Sequence, residues 1–304
     1  MGGFVSPVDN GILLRVMSIE VGFGKDMSTI LVTGASGQIG SVLAESLSNR
    51  HDVICLDWRP LDLGLPSVLG QIESPEDLQQ LNKYDVDVVV HLAGVTGGCT
   101  ERDGMIVNVE GTRCLMKYLL DHGCRKFVMA SSTAVVGFQN LRFRPLQLPF
   151  ADEAPCQDRD GYGLSKYLME EVGRYYHRQN EDIDVIALRL ASIHRDATLP
   201  PLVEVRPLCE WAIAKITVMA LSDAVRAFTL AVEASPKPGV RVMNATPCRA
   251  WVKDPVAEIL RNWYGNEVDV SYFEQPGCEW NSLYNVSRIE AELGFVAHCQ
   301  PDNM

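Results

Sequence analysis

An apolar, β-branched run, TILVTG (29–34), breaks off at a glycine. Two more glycines follow at intervals of three in TGASGQIG, before QIGSVLAESLSNR takes up helical spacing. Few local patterns restrict a chain as much. A buried strand must turn sharply into a helix, and glycine at the turn adopts backbone angles that other residues reach only at a cost. A second glycine lets the backbone approach an anion closely, and a third lets helix and strand pack together. The free N–H groups at the helix start then meet the anion. Gly34, Gly37 and Gly40, with the helix-opening Gln38 and Ile39, are therefore expected to cradle a pyrophosphate. Asp57 ends the next apolar strand, DVICLD (52–57), at the spacing where an acid grips the ribose diol of a dinucleotide. Its charge disfavours a 2′-phosphate and so favours NAD over NADP, while Arg59 works the other way.

The alternation continues. DVDVVVHLAG (85–94), RKFVMASS (125–132) and IDVIALRLAS (183–192) read as buried strands, and MIVNVEGTRCLMKYLLDHG and GLSKYLMEEVGRYYHRQN as amphipathic helices between them. PEDLQQLNKY reads as a short helix with Ser74 as its cap. Strands alternating with helices imply parallel pairing through right-handed crossovers. The expected fold is α/β, a doubly wound parallel sheet of Rossmann type with a small C-terminal substrate lobe. After Arg189 the pattern loosens: PPLVEVRP reads as loop, LSDAVRAFTLAVEAS and DPVAEILRNWYG as helices, VRVMNAT as a strand and SRIEAELGF as a last short helix. The division expected is 1–26 as a disordered extension, with Met27 a plausible start, 27–190 as the dinucleotide-binding domain, and 191–304 as mainly the lobe, with some segments returning to the sheet.

Composition narrows the classes of function. A chain of 304 residues, 47% hydrophobic, can bury a full core without a metal or disulfide staple. A net charge of −12 disfavours nucleic acid and anionic membrane as partners. No apolar run is long enough to span a bilayer. Nine cysteines, odd in number and without a CxxC pair, read as thiols of a reducing compartment, which places the chain in the cytoplasm; no metal site is expected.

The stretches TGASGQIG, HLAG (91–94), NVEGT (108–112), SSTAVVG (131–137), YGLSK (162–166), LR (188–189) and LYNVSRIEAELGF resemble, in order, the extended short-chain dehydrogenase/reductases, the NAD-dependent epimerase/dehydratase group. The resemblance implies NAD as cofactor, Tyr162 as proton-transfer residue, Lys166 as holder of the nicotinamide ribose, and Ser132 as the hydrogen-bond partner of the substrate oxygen. A free tyrosine, with a pKa of about 10, is a poor base near neutrality. Lys166, one helical turn on, is expected to lower it. Ala93 and Gly94 are expected to pass close to the cofactor. Asn108 is expected either beside the cofactor, tying helix to active-site strand, or as a buried structural amide. Gln71, in GQIE, stands where relatives place an acid against the adenine amine.

Dehydratases of the family resemble one another in an Asp-Glu pair after the catalytic hydroxyl. Thr133 and Ala134 stand there and cannot supply that acid and base. The short C-terminal part suits a compact substrate better than a nucleotide clamp. A further likeness to uronate dehydrogenases points to Thr96, Ser132, Thr133 and Ser192 as substrate contacts, and to Arg206, in RPLCEW, as a fork for a carboxylate. TVMALSDAVRA resembles threonine dehydrogenases instead. The reading is an NAD-dependent oxidoreductase acting on a hydroxyl of a small polar substrate such as a sugar or sugar acid. A nucleotide-sugar 4-epimerase with retained NAD is the runner-up, and a non-catalytic nucleotide sensor is a third possibility. Relatives often pair as homodimers, and the same is expected here.

Overall fold

Three consecutive residues, Ile30, Leu31 and Val32, are fully buried, so their strand is covered on both faces. Side chains alternate across a strand. Ile30 and Val32 join one apolar cluster with Val88, Val90, Val128 and Ile186, while Leu31 joins another with Val89, Phe127 and Val185. Each such side chain contributes roughly 1.5–3 kcal/mol on burial. A continuous apolar run thus dictates a sheet with helices on both sides.

The computed structural model describes residues 27–301; the extension expected over 1–26 lies outside the described residues. In chain order the strands of the main sheet are β1 (Thr29–Thr33), β2 (Asp52–Asp57), β3 (Ser67–Leu69), β4 (Val88–His91), β5 (Lys126–Ser132), β6 (Asp184–Leu190) and β9 (Gly239–Ala245). They lie in the order β3-β2-β1-β4-β5-β6-β9, every neighbouring pair parallel. The order reverses between β1 and β4, and the crevice at the carboxyl ends of strands there is where such folds hold ligands. A two-stranded parallel sheet, β7 (Ser192–His194) with β8 (Val218–Ala220), stands apart.

Helices α1 (Gln38–Ser48), α7 (Leu221–Glu233) and α9 (Ser287–Leu293) cover one face. On the other face, α4 (Gly111–Asp121) and α5 (Gly161–Gln179) cover the sheet. A third cluster builds the lobe around α6 (Ala212–Lys215) and α8 (Val256–Tyr264). It includes Phe138, Phe143 and Phe150, from a loop before residue 190, while β9, α7 and α9 serve the sheet from beyond it.

Three elements differ from the sequence reading. PEDLQQLNKY is α2 (Pro75–Leu78) tightening into a 3₁₀ turn; Ser74 does cap it, its Oγ accepting from the Asp77 N–H at 3.2 Å. The helix expected from Met105 begins earlier, with α3 (Glu101–Asp103), and runs through a π-helical stretch, Gly104–Glu110, into α4. The wider π turn carries Asn108 fully into the interior. The edge strand β3 is too short to announce itself as a pattern.

Candidate active site

The glycine loop is a place where backbones touch. Gly34 is left-handed at φ +67°, and a Cβ there would lie 2.6 Å from the Ala93 nitrogen. A Cβ on Gly40 would lie 2.2 Å from the Gly34 carbonyl oxygen. Strands β1 and β4 and the start of α1 therefore meet with no space for side chains. The Gly37 N–H closes the turn on the Gly34 carbonyl at 2.9 Å. No side chain caps α1, so the N–H groups of its first turn stay open toward the cleft. Ser36 Oγ is buried there without a hydrogen-bond partner among the described residues. At the end of β2, Asp57 accepts the Ser36 N–H on Oδ2 and the Arg59 N–H on Oδ1, each at 2.9 Å. The Arg59 guanidinium stands 3.7 Å from the same carboxylate. Asp57, Gln71, Ala93 and Gly94 line one groove beside the glycines.

The same glycines, with Gln38, Ile39 and Thr96, line a cleft that also contains Ser132, Tyr162 and Lys166. Ser132 ends β5, its Oγ accepting the Ala134 N–H at 3.1 Å. Tyr162 stands in the first turn of α5, which Asp160 caps by accepting its N–H at 2.9 Å. Lys166, one turn on, donates to the Ala130 carbonyl at 3.0 Å. Its Nζ would lie 3.3 Å from a Cβ on Gly94.

The electrostatics correct one expectation. Burial pushes the Tyr162 phenol up rather than letting Lys166 pull it down; a hydrogen bond with Ser132 acts in the lowering direction. The physical reason is desolvation of the phenolate, and the lysine shares the same burial. Burial brings the Lys166 ammonium itself down to about 8, and its proton is directed at the Ala130 carbonyl.

Beneath the trio lies a buried charge pair that sequence reasoning did not single out. Arg189 of β6 meets Glu170 of α5 through Nε to Oε1 at 2.8 Å and Nη2 to Oε2 at 2.9 Å. Ser131 donates to the same Oε1 at 2.6 Å, and Arg189 Nη1 donates to the Asp152 carbonyl at 3.0 Å. The pair locks β5, β6 and α5 together directly behind Ser132 and Lys166. Its signal was present as an acid four residues after Lys166, on the same helical face. His91, between Thr33 and Thr112 at 2.8 and 2.9 Å, is driven down to about 3 by burial and is neutral.

Not every expected residue reaches the cleft. The Asn108 amide is engaged with Val95 on both sides and with Ser165 Oγ at 2.9 Å, joining the loop after β4 to α5. Buried Thr133 donates to the Leu190 carbonyl at 3.0 Å. Ser192 and Arg206 line a second and larger cavity of about 810 Å³, together with His194, Trp211, Lys215 and Lys253. Ile193 turns from the same strand into the cleft of the trio, so the two spaces adjoin across β7. Ser192 Oγ and His194 Nε2 are 3.1 Å apart, and the Arg206 carbonyl is held by the Trp263 indole N–H at 2.9 Å. Lys215, His194 and Lys253 come from separate elements and share no motif.

A model of the NAD-dependent epimerase/dehydratase family matches residues 30–194, from β1 to β7. UDP-glucose 4-epimerase 1 of Oryza sativa subsp. japonica is 28% identical over 193 residues, 54% of this chain and 51% of that one. The NAD-dependent glucose-6-phosphate dehydrogenase of Haloferax volcanii is 30% identical over 180 residues, 54% of this chain and 68% of its own. The match to the plant epimerases spans about half of their length. A solved structure of a mutated uronate dehydrogenase superposes with a TM-score of 0.64 at 22% identity, over 91% of this chain and 83% of that one. At that identity the likeness speaks for the fold.

Proposed function

This chain belongs to the NAD-dependent epimerase/dehydratase family, and on that premise we propose that it is an NAD-dependent oxidoreductase acting on a hydroxyl of a small, negatively charged sugar or sugar acid. The observation that carries the reading is one cleft lined by Gly34, Gly37, Gly40, Ser132, Tyr162 and Lys166. The residues present fit the cofactor. Open N–H groups at the start of α1 and the unpartnered Ser36 hydroxyl would take its phosphates, Asp57 the adenosine ribose, and Lys166 the second ribose. When bound, NAD supplies the hydride acceptor. Ser132 would donate to and orient the substrate oxygen, and Tyr162, once ionised in the loaded site, would take the hydroxyl proton. The Glu170–Arg189 pair keeps the strand and helix carrying these groups in register.

The substrate's charge is read from the adjoining cavity. Arg206, Lys215 and Lys253 gather there on a chain whose net charge is −12. Lys253 is paired with Glu204 at 2.6 Å, which leaves Arg206 and Lys215 as the principal anion contacts. Incubation with NAD and a panel of uronic acids, sugar phosphates, neutral aldoses, threonine and UDP-sugars tests the reading. Net formation of reduced cofactor with a charged free sugar supports it; none with any free sugar overturns it.

The size of the cavity favours one further reading. About 810 Å³ matches pockets that hold whole drug-sized ligands, so a nucleotide-sugar 4-epimerase is the alternative. Interconversion of UDP-sugars without net reduction would establish it. A nucleotide sensor would bind NAD and turn nothing over, but it has no use for an intact Ser132, Tyr162 and Lys166. We also propose a homodimer formed through the run from α3 to α4 and through α5, where Met105, Ile106, Leu164 and Tyr175 are exposed.

A further inference from the structure

A small, partly buried polar knot joins the turn that carries Ser132 to the helix that carries Tyr162, and the chemistry above makes no use of it. Gly163 stands at its centre. A Cβ there would lie 2.7 Å from each of three groups: the Ala134 carbonyl oxygen, the Asp158 carboxyl carbon and the Gln139 amide nitrogen. Three polar groups from two segments thus converge on one point between the two catalytic elements. Gly137, left-handed at φ +95°, closes the same turn and sets it against the backbone of Gln157 and Asp158.

The hydrogen atoms at this knot do not add up. Gln139 Nε2 donates to the Ala134 carbonyl at 3.0 Å. Asp158 Oδ2 accepts the N–H groups of Leu164 at 2.7 Å and Asp160 at 3.3 Å. Two acceptors remain, Gln139 Oε1 and Asp158 Oδ1, both buried and both without a partner among the described residues. Turning the amide over would set its oxygen against the Ala134 carbonyl. Both side chains border Gly163, and a buried acceptor is seldom left without a donor. Of the side chains that meet at Gly163, the Asp158 carboxyl is the one that can gain a donor by taking up a proton.

We propose that Asp158 carries a proton on Oδ1 and donates it to Gln139 Oε1, forming a neutral clamp between the Ser132 turn and the Tyr162 helix. Asp158 is then a positioning residue for the two catalytic hydroxyls; that part alone rests on the function proposed above. The surroundings agree. Burial pushes the Asp158 carboxyl up to about 6, and the charge of Asp160 adds to this, against the backbone N–H donors that favour ionisation. The Cys156 thiol is its other titratable neighbour, and the turn from Thr133 to Gln139 brings no charge. Because the folded group titrates above its unfolded value, the clamp is complete below about pH 4 and is lost as pH rises through about 6.

Asp158→Asn tests this, since its amide supplies a permanent donor while its oxygen still accepts the Leu164 N–H. The ratio of variant to wild-type turnover is measured from about pH 5 to pH 8, so that titrations common to both proteins cancel. The ratio is expected to rise several-fold around pH 6, with KM for substrate unchanged; a ratio flat in pH overturns the proposal. Two measurements need no substrate. The infrared carbonyl band of a protonated carboxyl should be present in wild type at about pH 5, vanish by pH 8 and be missing from the variant, and its absence at pH 5 overturns the clamp. The variant's advantage in melting temperature should widen over the same range. If Asp158→Asn does not fold, Gln139→Met removes the acceptor, and the carboxyl band must then titrate at lower pH; an unmoved midpoint contradicts the assignment. Failure to turn over any substrate would count against the proposed function and leave the infrared arm to decide this one.

Discussion

The two spaces that meet across β7 are built from different materials. The cleft of the trio is made of backbone and locked side chains: a left-handed glycine, uncapped helical N–H groups, and a lysine and tyrosine on a helix bolted to β6 by Glu170 and Arg189. The larger cavity is walled by side chains on loops and short elements, with Arg206, Lys215 and Lys253 arriving from three separate places. Backbone geometry leaves little room to vary a ligand, whereas loop side chains can be exchanged without disturbing the sheet. The first space is therefore the part common to a family, and the second is the one in which the proposed function places the choice of substrate.

The comparison can be broken at either end. The largest effect is expected from Tyr162→Phe, which should lower turnover about 10²–10⁴-fold while leaving NAD affinity within a few-fold. Loss of cofactor binding in that variant would show that the phenol shapes the cleft rather than serving the chemistry. Next comes Glu170→Ala, which strands the Arg189 guanidinium in the interior and should cost about 3–5 kcal/mol in denaturant unfolding. A loss below about 1 kcal/mol, the scale of an exposed pair, would mean that the bolt behind the trio is not structural.

Smaller effects belong to the outer cavity. Lys215→Ala and Arg206→Ala should each weaken a charged substrate by about 1.5–3 kcal/mol through KM, with unfolding unchanged. Equal losses with neutral sugars would remove charge recognition from the reading. Lys253→Ala, already paired with Glu204 on the surface, should leave substrate affinity nearly unchanged. The smallest effect is one of pH. Lys166 titrates near 8 in the folded chain, so its ammonium is present below that value and thins out above it. NAD affinity should accordingly fall as pH rises past about 8, and Lys166→Arg should flatten the profile.

Much of the cleft was legible in the chain because it is local. Gly34, Gly37 and Gly40 stand within one turn, and Tyr162 and Lys166 within another, so spacing alone puts each set on one face. The misreadings were long-range. For Asn108 the sequence left two readings open, beside the cofactor or a structural amide, and the fold shows its amide tying Val95 to Ser165 from a π-helical stretch. Thr133 reads as a substrate contact until its hydroxyl is found on the Leu190 carbonyl. Lys166 was expected to lower the tyrosine, and only burial reverses that sign.

By itself the sequence determined the α/β order, the glycine turn and the pairing of phenol with ammonium on one helical face, because each depends on neighbours a few residues apart. Tertiary structure alone decided which charges are dry, which acceptors lack a donor, and that three cations from distant segments share one cavity. Those are properties of distance and dielectric, and neither exists until the chain has folded.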